Sequence, residues 1–267
     1  TFKFDSDKIF VAFRGTDNTL TGWKEDCMIA VSDNIPSQLN AAAYLNMVAN
    51  KYSDCEIYIG GHSKGGNLAI YAAVNAFAEI KDRIKAVYNN DGPGFSKEFI
   101  ESAQYKEISD RINTFVPQSS FVGMLLEHDE DYIIVKSANH SFWQHDAFSW
   151  NVVGNHFVHL DEDTKSIRFA EKNMKELING LTNEQKKQII DSAFEIMAEG
   201  GKITFEDIRK AGIKNIPDMI KAFNKIDDNS KKALTDGITL LAKLSIKNGY
   251  EINKHESKPK SKETGIV

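Results

Sequence analysis

The chain has 267 residues, 41% of them hydrophobic and 27% charged, with a formal net charge of −5, enough for one sizeable core or one core with a small appendage. The mild acidity argues against nucleic acid as a partner, which needs a basic stripe, and no run approaches the roughly 18 unbroken apolar residues of a membrane-spanning helix. The two cysteines, Cys27 and Cys55, are too few for a disulfide framework and lack metal-ligand spacing; no metal is expected, and a reduced, cytoplasmic setting fits.

The first half alternates strands with helices. Thr1-Phe2-Lys3-Phe4 already alternates like a strand and no methionine precedes it, so a longer parent chain is expected, in which a signal peptide or further N-terminal elements could stand. Phe2–Phe4 and Ile9–Phe13 flank the polar turn Asp5-Ser6-Asp7-Lys8 and predict a hairpin. Pro36–Tyr52 carries Leu39, Ala42, Ala43, Leu45, Met47 and Val48 at helical spacing. A short buried strand is predicted at Ile57–Ile59, a small-residue-rich helix at Leu68–Ile80, a strand at Ile84–Tyr88 and a helix at Phe99–Tyr105. Strands follow at Ile112–Val116 and Tyr132–Val135. This alternation implies an α/β class with a mainly parallel sheet and flanking helices, over residues 1–165.

Beyond about residue 165 the texture becomes helical, and residues 166–250 read as a helical C-terminal extension, a packed cap without chemistry of its own. Thr182-Asn183-Glu184-Gln185 is a capping-box pattern ahead of Ile189, Ile190, Ala193, Phe194 and Met197, and Gly200-Gly201 stops that helix. Thr204–Lys210, Pro217–Ile226 and Ser230–Lys247 predict further amphipathic helices. Residues 251–267 are polar and lysine-rich, without apolar periodicity, and are expected to be a disordered tail.

One stretch carries chemistry. Ile57-Tyr58-Ile59-Gly60-Gly61-His62-Ser63-Lys64-Gly65-Gly66-Asn67-Leu68-Ala69 holds Gly-x-Ser-x-Gly between a β-run and an Ala-rich helical run. That is the strand, sharp turn and helix of a nucleophile elbow, with Ser63 as the nucleophile. The other possibility, a glycine-rich phosphate-binding turn, lacks the Walker-type lysine–serine pair.

Val11-Ala12-Phe13-Arg14-Gly15-Thr16-Asp17, then Trp23 and Asp26, then Gly-His-Ser-x-Gly-Gly, resembles the class 3 lipases of the α/β-hydrolase fold. The resemblance implies Thr16 and the Lys64 backbone N–H as oxyanion-hole donors, with Trp23 and Asp26 at structural positions of that loop. Asn90-Asp91-Gly92-Pro93-Gly94-Phe95, Val116-Pro117-Gln118-Ser119-Ser120 and Gln144-His145-Asp146 before Phe148-Ser149-Trp150 are similar to a bacterial α/β-hydrolase family of unknown function, the Mbeg-like proteins, related to those lipases. The likeness covers approximately residues 1–160.

Seven histidines compete for the base. His62 adjoins Ser63 and is expected to point elsewhere, His255 lies in the tail, and His156 and His159 sit in an alternating stretch resembling an outer strand. His145 is chosen over His128 and His140 because the resemblance is densest around it. The class 3 lipases carry their acid just after the strand corresponding to Ile112–Val116, where this chain has Pro117-Gln118-Ser119-Ser120 and no carboxylate. Asp91, ending the preceding strand, is the expected replacement, with a turn cap as its bland alternative; Asp146 should point away from its neighbour.

The reading is a serine hydrolase acting on a small-molecule carboxylic ester or lipid through Ser63, His145 and Asp91, without cofactor. A thioesterase or amidase would use the same groups. A non-catalytic binding protein of the same fold, or an interaction protein organised by the helical extension, are the other classes.

Overall fold

The computed structural model describes residues 1–256 apart from residues 18, 33, 119, 121, 124 and 161–164. Strand β1 (Phe2–Asp5) turns back into β2 (Lys8–Phe13), and the two pair antiparallel as the hairpin pattern predicts. From β2 the chain makes helices α1 (Leu20–Met28) and α2 (Pro36–Lys51), then β3 (Glu56–His62), α3 (Lys64–Val74) and α4 (Ala78–Lys81). Strand β4 (Ile84–Asn90), the one-turn helices α5 (Lys97–Ile100) and α6 (Ala103–Lys106), β5 (Ile112–Pro117) and β6 (Tyr132–Val135) complete the alternating region. Val152–Val153 (β7) and His156–Phe157 (β8) form a small hairpin, and His159–Leu160 (β9) returns antiparallel to β6.

The main sheet has seven strands in the order β1-β2-β3-β4-β5-β6-β9, with β2 through β6 mutually parallel. A parallel run places every carboxyl end on one edge, so the loops leaving Phe13, His62, Asn90 and Pro117 emerge side by side. Register keeps them level: Phe13 pairs with Gly61, His62 with Asn90, and Asn90 with Phe115.

Burial explains the layering. Ile9, Val11, Ile57, Ile59 and Val87 have no exposed surface, and alternate along their strands as a half-covered sheet requires. They pack beneath α3, of which every residue is buried. A helix apolar nearly all round must sit inside, and its alanines and glycines let it lie close to β3 and β4. On the opposite sheet face, aromatic pairs Phe10–Tyr88 and Phe4–Tyr58 stand 6.3 and 5.6 Å apart. Towards β5, the same face is covered by Phe157 and Trp150, whose rings lie 5.4 Å apart.

Three local expectations change. Leu68–Ile80 is not one helix: α3 stops at Val74, where Asn75 turns its side-chain amide onto the Tyr71 carbonyl (2.9 Å), and Phe77 is extended before α4. Phe99–Tyr105 is broken because the hydroxyls of Ser96 and Ser102 each accept a backbone N–H and start separate turns. Trp23 and Asp26 lie on a helix rather than a loop, α1, started by the Thr19 hydroxyl accepting from Gly22 N–H at 3.0 Å.

The C-terminal region is helical, as α7 (Lys165–Asn179), α8 (Asn183–Ala198), α9 (Phe205–Ala211), α10 (Ile216–Lys225) and α11 (Asp228–Glu256). The capping box at Thr182 and Gln185 is formed in both directions. Helix α7 is not among the helices that the apolar spacing predicts. Helix α11 continues to Glu256, past the expected start of the tail at Glu251, because an established helix propagates cheaply through Glu and Lys; residues 257–267 lie outside the described residues. Among the described residues, no helix is long and apolar enough to cross a membrane.

A buried polar knot ties β5 to the turn before β6. Glu130, 3% exposed, accepts from Tyr105 Oη at 2.5 Å, from the Thr114 hydroxyl and from His128 Nδ1 at 3.2 Å. Burial alone would push the Glu130 carboxyl up; His128, Thr114 and Tyr105 outweigh it and hold it down to about 2. A depressed carboxyl stabilises the fold fully above its unfolded value of 4.5 and loses that contribution as pH falls towards about 2. The stability difference between the wild-type chain and Glu130→Gln in urea is therefore expected to be about 3 kcal/mol at pH 7. It should shrink steadily below pH ~4.5; a difference that stays flat across the acid range excludes a charge contribution from Glu130.

Candidate active site

The strand-to-helix turn at Ser63 is built for close approach. A Cβ on Gly61 would overlap the Gly65 backbone, and one on Gly65 would overlap the Phe13 carbonyl, so strand, turn and helix can meet here only without side chains. Ser63 itself has φ 58° and ψ −133°, a conformation that costs on the order of 1–3 kcal/mol for a residue with a Cβ. Two backbone bonds hold it there: Ser63 N–H donates to Asn90 O and Gly66 N–H to Ser63 O, both at 2.9 Å. The turn places Ser63 at the N-terminus of α3, where the first backbone N–H groups have no intrahelical acceptor.

Asp91 leaves the next strand end. It has φ 54° and no exposed surface, and its N–H donates to Phe115 O at 2.8 Å. A carboxylate so buried needs donors on both oxygens. Oδ1 accepts from the Ser120 hydroxyl and from Gly123 N–H at 3.1 Å, and Oδ2 from His145 Nδ1 at 2.7 Å. Ser120 comes from the stretch after β5 where the lipase resemblance placed the acid itself; here that stretch supplies a donor to Asp91 at the end of the neighbouring strand. Ser119 lies outside the described residues.

His145 sits at the end of a 3-10 turn, Ser141–His145, with 14% of its side chain exposed. Because a carboxylate oxygen accepts from Nδ1–H, the Nε2 lone pair is the basic position of the ring. Ser63, His145, Thr16 and His62 line one cleft of about 410 Å³ together with Phe13, Arg14, Gly15 and Trp23. The Trp23 ring lies 6.4 Å from that of His145.

Thr16 reaches the cleft, but its hydroxyl proton is donated to Asp26 Oδ2 and is not offered to a ligand. The Lys64 side chain is buried between Glu25 and Asp26, the latter at 3.3 Å. Burial pushes the Asp26 carboxyl above the usual carboxylate range, against the opposing pull of Thr16 and Lys64. This cluster anchors the loop after β2 to the start of α3.

The other candidates lie apart. His128 pairs with Glu130 in the knot behind the sheet edge. His140 is exposed and flanks the 3-10 turn, and Asp146 caps the following turn by accepting from Phe148 N–H at 3.1 Å. His159 is in an outer strand, as its alternating surroundings predict. His62, expected to point away, lies in the cleft against His145.

Sequence reasoning also missed the polar braces. Asn89 Oδ1 accepts from Gly92 N–H at 2.9 Å. Asn67 Nδ2 donates to the Pro93 and Gly94 carbonyls at 3.1 and 3.0 Å, and its Oδ1 accepts from Gln38 Nε2 at 2.8 Å. All three amides are buried. The signal was a polar Asn at the first turn of a helix that continues from it as Leu-Ala-Ile-Tyr-Ala-Ala-Val, where only a defined partner justifies burial.

The model of the Mbeg1-like family matches residues 1–195, and the chain belongs to that family. The match spans the whole sheet and the cleft and runs into α8. Comparisons with curated proteins and with solved structures gave no match.

Asn67 bonds both the Asp91 loop and α2, so its removal leaves two buried carbonyls and a buried glutamine without these partners. Asn67→Leu is expected to lower stability in urea by about 2–4 kcal/mol, since each unpaired buried group costs about 1–3 kcal/mol. A change of less than about 0.5 kcal/mol, the level of an ordinary surface substitution, excludes the bracing role.

Proposed function

We propose that this member of the Mbeg1-like family is a serine hydrolase of the α/β-hydrolase type that cleaves carboxylic esters through an acyl-enzyme. The observation that carries the reading is the 2.7 Å contact from His145 Nδ1 to a fully buried Asp91, in a cleft that His145 shares with the strained Ser63. A carboxylate that fixes the tautomer and an imidazole beside an elbow serine are the parts nucleophilic catalysis requires.

In this mechanism His145 Nε2 takes the Ser63 hydroxyl proton as Oγ attacks the ester carbonyl. Asp91 stabilises the imidazolium through Nδ1–H, and the Thr16 and Lys64 backbone N–H groups donate to the developing oxyanion, aided by the positive end of α3. The intermediate collapses, the C–O bond breaks, and His145 returns its proton to the departing alcohol. Water, deprotonated by the same imidazole, then releases the acid and regenerates Ser63. Thioesters and amides would be cleaved by the same groups; the ester reading follows from the likeness to class 3 lipases.

A fluorophosphonate probe is expected to label the wild-type chain at Ser63 and to leave Ser63→Ala unlabelled. On short p-nitrophenyl esters, Ser63→Ala should lose on the order of 10⁴ to 10⁶ in kcat with its fold intact. Labelling of another residue, or activity within about tenfold of wild type, overturns the assignment.

Asp91→Asn separates orienting acid from turn cap. Asparagine suits the same turn, but presents an amide to Nδ1 and so favours the wrong tautomer, costing about 10⁴ in kcat by the behaviour of other triads. An Asp91→Asn enzyme with undiminished kcat means that Asp91 serves the turn alone.

A further inference from the structure

The carbonyl of His145 ends a 3-10 turn, a place where backbone acceptors lack partners within the turn itself. His62 supplies one: its Nε2 lies 2.6 Å from His145 O. A carbonyl can only accept, so His62 carries its proton on Nε2. The two imidazoles are 4.6 Å apart between centroids, and the Trp150 ring lies 6.3 Å from that of His62. His62 is the last residue of β3 and immediately precedes Ser63. The bond therefore joins the strand that carries the serine to the backbone of the turn that carries the histidine.

Other bonds of the turn run to its own neighbourhood: Gln144 Nε2 to Asn139 O at 2.9 Å, Trp150 Nε1 to Gln144 O at 2.8 Å, and Asn139 Nδ2 to Trp143 O at 3.0 Å. Asp91 holds the imidazole at Nδ1, and the His62 bond adds an anchor on the main chain of the same residue.

We propose that His62 is a positioning residue, which holds the His145 backbone in register with Ser63 by donating Nε2–H to the His145 carbonyl. The inference rests on the hydrolase reading above, and it adds a second histidine to the site in a role other than base.

The neutral state suits this role. Burial, and then the neighbouring His145, push the His62 imidazole below its ordinary range, which disfavours a positive charge on His62 beside His145 when the latter becomes an imidazolium.

The test compares His62→Leu, which fills the space without a donor, with His62→Gln, whose side-chain amide reaches the place of Nε2. Kinetics on a p-nitrophenyl ester are read with the downfield proton resonance of the His145–Asp91 bond. His62→Leu is expected to lose about 10²-fold in kcat, the scale of a misplaced catalytic group, with KM nearly unchanged and the resonance broadened or shifted. His62→Gln should recover most of both. His62→Leu with kcat within about threefold of wild type, or His62→Gln folded yet as impaired as His62→Leu, overturns the proposal. If His62→Leu fails to fold, His62→Asn, polar but one methylene too short, replaces it, and equal kcat for the His62→Asn and His62→Gln enzymes overturns the proposal. A wild-type chain silent to esters and fluorophosphonate overturns the hydrolase reading instead; the resonance in the three chains then decides the positioning role by itself.

Discussion

A carboxylate with no exposed surface is the constraint around which this site is arranged. Moving an ionised Asp91 out of water is costly unless its oxygens are taken up by donors, and the three donors come from two segments distant in sequence from it: Ser120 and Gly123 in the loop after β5, and His145. To receive them, Asp91 adopts φ 54°, which aspartate tolerates better than most residues. The Asp91–Gly94 turn is held from beneath by Asn89 and Asn67, the latter on α3 and bonded in turn to Gln38 on α2. The Asp91 turn is thereby braced by the same helix that begins at Ser63.

The strain at Ser63 belongs to the same construction. A serine in that backbone conformation persists only where its surroundings over-determine it. Here the register of β3 with β4, the absence of side chains at Gly61 and Gly65, and the total burial of α3 leave the turn no other path. Stability is invested in the elbow by the core, and the cleft inherits its rigidity.

The helical extension bears on this site through the loops. Helix α8 packs against α1, Lys24 pairs with Asp191 at 2.7 Å, and Leu20 N–H donates to Ile203 O at 2.7 Å. Lys175 on α7 pairs with Glu127 at 3.3 Å in the segment between β5 and β6. The two segments so touched are those that supply Thr16 to the cleft and the Ser120 donor to Asp91. A cap docked on both restrains the loops, which in a parallel α/β sheet are otherwise the most mobile part of a site.

Periodicity and turn chemistry were legible in the chain because they are local. The short apolar runs of β2 through β6, the glycines around Ser63 and the Thr182 capping box each state their structure within a few residues, and the parallel sheet with flanking helices follows from their order. The elbow serine, the Asp91 turn and the His145 segment could be singled out for the same reason, each lying in a short distinctive run. The breaks at Asn75 and Ser102 and the helix α1 were not legible, since they depend on single side chains capping the backbone against the pull of propensity. Only the tertiary structure decided that Ser120 donates to Asp91, that Asn67 braces the acid's turn, and that His62 turns towards His145. Such contacts join residues 29, 26 and 83 positions apart, and no local pattern records which buried polar group will meet which: that is set by strand order and register, which bring the carboxyl ends of β2 to β5 to one edge.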